Sequence, residues 1–579
     1  MEKWMVKNKK ADFGQIAQQF GVSEVIARML VNRGLQDFEQ MERYLQPTKE
    51  QLHPAALLKD AKKAADILCE KIRAGKKIRV IGDYDVDGIV STWILITALR
   101  ECGAQVDYAI PDRIRDGYGI NLEMVKAAVA EGVDTILTCD NGIAAVEQTA
   151  YAKEHGLTML ITDHHDLQKE LPTADALVNP KQEDCTYPEE GICGAVVAYK
   201  LTELLYECCG KTAANAEKLL PFAALATVCD VMELVGENRA IVSLGLRELR
   251  RTKHPGLLAL LAENKLESEQ LNVYHLGFIL GPCLNAAGRL DSAARSVRLL
   301  DAGAEEAAQL AQELKELNDR RKDMTARELE KAIELVEHSE LKHDRVLVVF
   351  LEDCHESLAG IIAGRLKEKY NRPTIVLTGA NEGIKGSARS IEGYHMFESL
   401  SECAELLERF GGHPLAAGLS LKKENLEPLR RKLNEQCRLT EEDLTVKVSI
   451  DIVLSLSYLS EELIQELEIL EPFGKGNEKP VFAERNLKIC RMTPMGKNTR
   501  MFRFLVEDSF GTQMEAVYFG DADEMEAALV QRFGEAEIRR LYQGKGEQAQ
   551  FSVIYYPSVN EYMGMKKLQI VIQRYQLPA

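Results

Sequence analysis

A multidomain α/β fold ending in a small β-barrel is predicted by three features of this 579-residue chain. From 78 to about 235, short apolar runs alternate with helical stretches, the rhythm of a parallel sheet with crossover helices. A second such rhythm runs from RVLVVF (345–350) through RPTIVLT (372–378) to about 425. Beyond about 445 the pattern changes to strand-like segments separated by Gly, Asn and Asp clusters, which suit a barrel. A chain of this length is too long for one core and divides into three or four domains.

The elements follow in order. Residues 1–75 read as helices: FGVSEVIARMLVNRG and LLKDAKKAADILCEKIRAGK place apolar residues at helical spacing, and Gly34 and Gly75 suit C-terminal stops. Strands are predicted at 78–81, 106–110, 133–138, 157–161 and 175–178, and 236–300 continues as mostly helical material ending in NAAGR. Residues 304–338 contain neither Gly nor Pro, and Leu310, Leu314, Leu317, Leu329, Ile333 and Val336 fall on apolar stripes. This is a helix about 50 Å long. Three or four clean heptads are missing, so it reads as an interdomain connector and not as a coiled coil. The late strands are VKVSIDIVLSL, NLKICRMTPM, RMFRFLVED, MEAVYFG, AQFSVIYYPS and LQIVIQRYQL.

Composition narrows the class. With 46% hydrophobic and 28% charged residues the chain is ordinary globular material. No apolar run approaches the roughly 18–20 residues that span a bilayer, and MEKWMVKNKKADFG lacks a signal peptide's apolar stretch, so a cytoplasmic protein without membrane contact is expected. The 13 cysteines show no paired zinc spacing and read as free thiols, with Cys208 and Cys209 buried on a helix. A net charge of −18 argues at first against nucleic acid. Net charge is not local field, however, and Arg365, Lys367, Lys369, Arg372, Lys385 and Arg389 form a basic run on the acidic body.

The chemistry concentrates in GDYDVDG (82–88), where Asp83, Asp85 and Asp87 follow the apolar run Ile78 to Ile81. Alternate positions after a strand gather negative charge that a divalent cation would neutralise. Taken alone, this is equally an acidic surface turn or a calcium loop. Three further sites decide between these readings: DTILTCDNGI carries Asp140, LTMLITDHHD carries Asp163, His164 and His165, and AALATVCDVMEL carries Asp230. Each falls where a parallel strand's carboxyl end, or the helix beside it, would deliver it to one crevice. A lone histidine is usually a core side chain; a pair beside an aspartate after a strand is not.

In order and spacing, GDYDVDG, DNGI, DHH and the later Asp230 resemble the four motifs of the DHH phosphoesterase superfamily. GPCLNAAGRL (281–290), GSARS (386–390), FGGHPLAAGLSL (410–421) and LEPFGKGNEKPVF (470–482) resemble its RecJ branch, the single-strand-specific DNA exonucleases, so the likeness spans nearly the whole chain. It implies an N-terminal helical segment (1–75), a DHH parallel-sheet domain (76–303), a connecting long helix (304–340), a DHHA1 α/β domain (341–440) and an OB-fold barrel (441–579). It also implies two Mn2+ or Mg2+ ions held by Asp83, Asp85, Asp87, Asp140, His164 and Asp230, with Asp140 as the bridge and Asp83 either a direct ligand or behind one. Mixed oxygen and imidazole ligation favours those metals over a thiolate-bound one. Asp163 orients its neighbours and His165 touches the scissile phosphate.

By the same resemblance, Asn285, Arg289, Ser387, Arg389, Gly411, Gly412 and His413 bind phosphate, and Arg113 and Tyr118 contact nucleic acid. Phe502, Phe504, Tyr518 and Tyr555 are candidates for base stacking, although strand alternation buries about half of such residues. Cys283 stands where part of the family carries a basic residue. The implied activity is 5′→3′ hydrolysis of single-stranded DNA to mononucleotides in recombination and repair, by a monomer working with a RecQ-like helicase and a single-strand-binding protein. Two rivals are weighed. A nanoRNase or cyclic-dinucleotide phosphodiesterase shares the chemistry but generally lacks a tail like 445–579. A non-catalytic Cdc45-like scaffold has degenerate metal motifs, unlike this chain.

Overall fold

The apolar runs of the first α/β region form one parallel sheet, ordered Gln105–Ala109, Lys77–Ile81, Thr135–Cys139, Thr158–Thr162, Ala176–Val178. All five predicted strands are present, with ends shifted by one or two residues. Strand alternation supplies both cores: Val80, Leu137 and Leu160 face one side, and Ile81, Ile136 and Ile161 the other. Lys77–Ile81 and Thr135–Cys139 are adjacent, while the second strand lies on the far side of the first. Strand order therefore reverses between them, and their carboxyl ends flank the crevice that such a reversal opens.

The computed structural model describes residues 2–380, 383–496, 501–562 and 565–578. Two compact units result: Pro47–Thr445 with Gly474–Gly476, and Met1–Gln46 with Val446–Phe473 and Asn477–Ala579.

Within the first unit the connector is one helix, Ala304–Glu337, of 34 residues. Ala307, Leu310, Ala311 and Leu314 join the core of the parallel-sheet region. Ala332 and Val336 join Leu347, Val349 and Leu358 in the next. The helix thus belongs to two cores and fixes their separation. The second sheet runs Arg409–His413, Ala416–Leu421, Ile384–Arg389, Thr374–Gly379, Leu347–Leu351, with only the last pair parallel.

In the other unit Phe482–Met495, Met501–Glu507, Gln513–Tyr518, Met565–Gln576 and Gln550–Tyr562 pair in sequence, and the last returns to the first, closing a five-stranded barrel. The fold corrects the expectation of one helical segment over 1–75. Residues 1–46 belong to the barrel's unit: Ile26, Met29 and Leu30 share a core with Leu467 and Leu470, and Glu2–Val6 is a strand parallel to Val446–Ile450. Helical periodicity identifies a buried face but not the distant segment that buries it. Alternation also decides the barrel aromatics: Phe502, Phe504 and Tyr555 are fully buried, Tyr518 is half-buried against Tyr575, and Tyr458, Phe510, Phe519 and Tyr542 are exposed.

The thiols expected to be free include one bonded pair, Cys69 with Cys208, joining helix Ala61–Arg73 to the end of Gly194–Cys208 across a sequence separation of 139. No helix among the described residues is long and apolar enough to cross a membrane.

Candidate metal centre and phosphate pocket

Each motif residue is delivered by the end of an element. Asp83 follows Lys77–Ile81, and Asp85 caps helix Val86–Glu101 by accepting from the Asp87 and Gly88 amides at 3.0 and 3.2 Å. Asp87, in the first turn, accepts from Gly194 N at 2.6 Å and Ala195 N at 2.8 Å, the opening amides of helix Gly194–Cys208. That helix end favours negative charge. Asp140 follows Thr135–Cys139 with φ +60°, and a side chain at Gly194 would place its Cβ 2.7 Å from that of Asp140. Asp163 and the two histidines follow Thr158–Thr162; Asp230 ends helix Leu220–Cys229.

These ends converge. Ligand atoms of Asp83, Asp85 and Asp140 lie within 4.8 Å of one another, as do those of Asp87, His164 and Asp230, and those of Asp140, His164 and His165. His164 Nε2 stands 3.1 Å from Asp140, 3.5 Å from Asp87 and 3.8 Å from Asp230. Asp140 therefore lies between two carboxylate groups.

Burial sets the electrostatics. Desolvation, reinforced by Asp85, holds Asp83 well above the usual carboxylate range; desolvation with Asp87 does the same to Asp140, and pushes Asp230 up to about 8. Burial lowers His164. Burial would also lower His165, but its 2.7 Å hydrogen bond to Asp163 outweighs this and raises it to about 9. Asp163 is buried as well, yet it is held below its ordinary value by the His165 hydrogen bond and charge, then by the Ile143 amide and the His164 charge; the His164 amide also donates to it at 2.8 Å. Its lone pairs are occupied, so it orients the two histidines. Tyr118 donates to the Asp140 carbonyl at 2.8 Å and sets its ring edge-on to His165. Asn141 is taken up by backbone groups, those of Ile81, Cys139 and Ile120.

The arrangement fits divalent cations. Asp83 is fully buried, and among the described residues neither of its oxygens meets a donor in bonding geometry; the nearby Tyr84 and Gly119 amides only moderate its raised pKa. A buried carboxylate without a donor costs several kcal/mol, about what a bound cation would offset. Carboxylates and imidazole with no thiolate suit Mg2+ or Mn2+.

Beside this centre a cavity of about 310 Å³ is lined by Arg113, Arg289, Ser357, Lys385, Ser387 and Arg389. Burial, then the neighbouring Arg113, lowers Arg289 to about 9 and lowers Arg389. Crowded, desolvated guanidinium groups of one sign favour a bound anion. Arg289 is held by a 2.8 Å bond to the Ser357 carbonyl, and Arg113 lies 3.9 Å over the Tyr84 ring. A side chain at Gly288 would place its Cβ 2.2 Å from the Tyr84 carbonyl, so small residues let helix Gly281–Leu290 seat Arg289 against the first motif.

The other named residues stand elsewhere. Asn285 accepts from the Val86 amide and fixes the first-motif turn. Gly411 and Gly412 lie in the exposed edge strand Arg409–His413, outside the cavity lining, and His413 Nδ1 sits 3.3 Å from Asp166. Cys283 is buried under Asn264 and Asn318 and faces the long helix, so no phosphate contact is lost there. The basic run does not act as one stripe: Lys385 and Arg389 reach the cavity, whereas Arg372 is tied to the Lys342 and Asp344 carbonyls. Sequence reasoning missed Tyr84, the Ser357 carbonyl and the Gly194 and Ala195 amides. Backbone groups carry no residue signature.

Comparison with known proteins agrees with this layout. The DHH family N-terminal domain matches residues 77–227, the DHHA1 domain 343–439 and the RecJ OB domain 450–574. The single-stranded-DNA-specific exonuclease RecJ of Bacillus subtilis is 36% identical over 578 residues, covering 99% of this chain and 70% of the relative. That of Escherichia coli is 32% identical over 572 residues, covering 95% of each. The crystal structure of RecJ in complex with Mn2+ from Thermus thermophilus superposes with a TM-score of 0.81 at 26% identity, covering all of this chain and 80% of that one. The Mg2+ complex of the same protein gives 0.76 at 25% identity.

Proposed function

Because this chain belongs to the RecJ family of DHH phosphoesterases, we propose that it is a metal-dependent exonuclease specific for single-stranded DNA, releasing mononucleotides from the 5′ end with Mn2+ or Mg2+. One observation carries the reading: the carboxylate and imidazole cluster and the arginine-lined cavity share a single unit, with Arg289 anchored to Ser357 across the two α/β regions.

Asp83, Asp85, Asp87, Asp140, His164 and Asp230 would hold the cations, two of them with Asp140 between. Bound divalent ions activate water and stabilise the leaving oxygen of a phosphodiester. The chain's own groups do the rest. Arg113, Arg289, Ser387 and Arg389 clamp a terminal 5′ phosphate, which places the adjoining phosphodiester beside the cluster. His165, cationic through its bond to Asp163, donates a hydrogen bond to the scissile phosphate, and Tyr118 limits its swing. Asp163 keeps that imidazole oriented, and the Gly194 and Ala195 amides keep Asp87 in place.

The test is degradation of single strands labelled at either end, duplexes and circles, with Mn2+ and then with excess chelator. Mononucleotides should appear from 5′ ends, and circles and chelated samples should resist. Efficient cleavage of circles, or digestion from the 3′ end alone, would overturn the polarity.

A further inference from the structure

Two aromatic rings stand uncovered on the segment that packs against the helix ending at Asp230. Tyr274 is 61% and Phe278 63% exposed, and the rings stack with centroids 5.2 Å apart and planes 20° apart. Single exposed apolar residues are ordinary, but a stacked pair presents a flat apolar face to water.

Their place in the fold gives that face a use. Phe278 lies in the turn Leu276–Leu280, whose backbone rests on the helix ending at Asp230. The Cys229 thiol bonds the Leu276 carbonyl at 3.6 Å; a Cβ on Gly277 would lie 3.4 Å from Val228, and one on Gly281 2.5 Å from the Cys229 sulfur. The same helical run continues as Gly281–Leu290 and carries Arg289 into the phosphate cavity. Phe278 and Arg289 are eleven residues apart, about 16 Å along a helix axis, and the segment that presents Asp230 packs on Leu276, Gly277 and Gly281 at the Phe278 end. On the aromatic side the exposed Lys475 joins the group. Its carbonyl accepts from Leu234, a side chain on Gly474 would meet Leu234 and then Val273, and the Lys475 charge reaches the Asp230 carboxylate.

We propose that Tyr274 and Phe278 form a stacking platform for an unpaired base of the substrate strand, with Lys475 meeting the adjoining phosphate, at the opposite end of the metal centre from the 5′-phosphate pocket. This inference rests on the exonuclease reading and names what selects a polymer. Stacking on an aromatic face tolerates every base, because each has a π face. A paired, stacked base in a duplex has no face to offer. A dinucleotide held by its 5′ phosphate ends before the platform, so only longer strands gain from it.

The experiment uses the full chain with 5′-phosphorylated strands carrying 2-aminopurine at successive positions from the 5′ end. Fluorescence is read without added metal and turnover with Mn2+, for wild type, Tyr274→Ala/Phe278→Ala and Tyr274→Phe/Phe278→Tyr. Wild type should quench the probe at one or two internal positions. The double alanine variant should lose that quenching and raise KM on long strands about tenfold or more, with dinucleotide kcat/KM within about twofold of wild type. The conservative variant should restore both. Unchanged quenching and KM in the alanine variant, or equal losses on dinucleotide and polymer, would overturn the platform. Quenching of the expected pattern in a protein that degrades no single strands would support the platform and overturn the exonuclease reading.

Discussion

Asp83, Asp87 and Asp140 are each 2% exposed or less, an arrangement of like charges that Arg113 and the Tyr84 and Gly119 amides only partly offset at Asp83. Asp140 takes part in two of the candidate ligand groups, and its buried carboxylate lies among other carboxylates whose charge raises its pKa. Asp140→Ala should therefore lower kcat at saturating Mn2+ by at least about a thousandfold, roughly 4 kcal/mol, while thermal stability without metal is kept or improved. Near wild-type turnover would remove Asp140 from the bridging position. Arg389 lines the cavity proposed to clamp the terminal phosphate. Arg389→Ala should lower kcat/KM on 5′-phosphorylated strands about 10- to 100-fold, the value of one charge-assisted contact. The effect on 5′-hydroxyl strands should be smaller, and an equal loss on both would show that the cavity holds something other than the terminal phosphate.

At the scale of elements, helix Ala304–Glu337 is shared by two cores, so its continuity sets where the arginine cavity stands relative to the carboxylates. Lys322, midway along it, is half exposed and pairs with Asp319 at 4.0 Å. Lys322→Pro should break the helical ladder at a cost of about 3 kcal/mol or more and raise KM more than it lowers kcat on long strands; wild-type kinetics would show that the connector does not set the spacing. In the barrel, burial raises Glu484 to about 7 from an ordinary 4.5, while Ser455 and the Leu456 amide bond its oxygens. A folded pKa above the unfolded one means that the native state binds the extra proton. The stability it gives is full below about pH 4.5 and is lost as pH rises through 7. Glu484→Gln should gain about 1–2 kcal/mol over wild type at pH 8, after discounting for solvent screening, and little at pH 5. Melting curves of both proteins at the two pH values check this, and an equal difference at each would remove the titration argument.

At the scale of the whole molecule, residues 1–46 share the barrel's core, so the two ends of the chain form one unit. A chain shortened only after 445 leaves Ile26, Met29 and Leu30 without partners and should aggregate. Residues 47–445, which hold every proposed metal ligand and 5′-phosphate contact, should stay monomeric and hydrolyse short oligomers. This fragment also lacks Gly474–Gly476, so it should bind long single strands at least about tenfold more weakly than the full chain. Equal affinity would mean that neither the barrel nor Lys475 contributes to holding the strand.

The sequence by itself determined the parallel sheet, the long helix, the barrel and which carboxylates and imidazoles gather in one cluster. These depend on local patterning: strand alternation, an unbroken helical stripe, and acidic residues at the ends of apolar runs. Only the tertiary structure decided which groups share a space. That Asp87 is held by Gly194 and Ala195, that Arg289 rests on Ser357, that Cys283 faces Asn318 and not a phosphate, and that residues 1–46 complete the barrel's core are contacts between segments far apart in sequence. Several of them use backbone amides and carbonyls, which every residue carries. A sequence specifies such partners through packing and chain direction, and neither leaves a motif at the positions that finally meet.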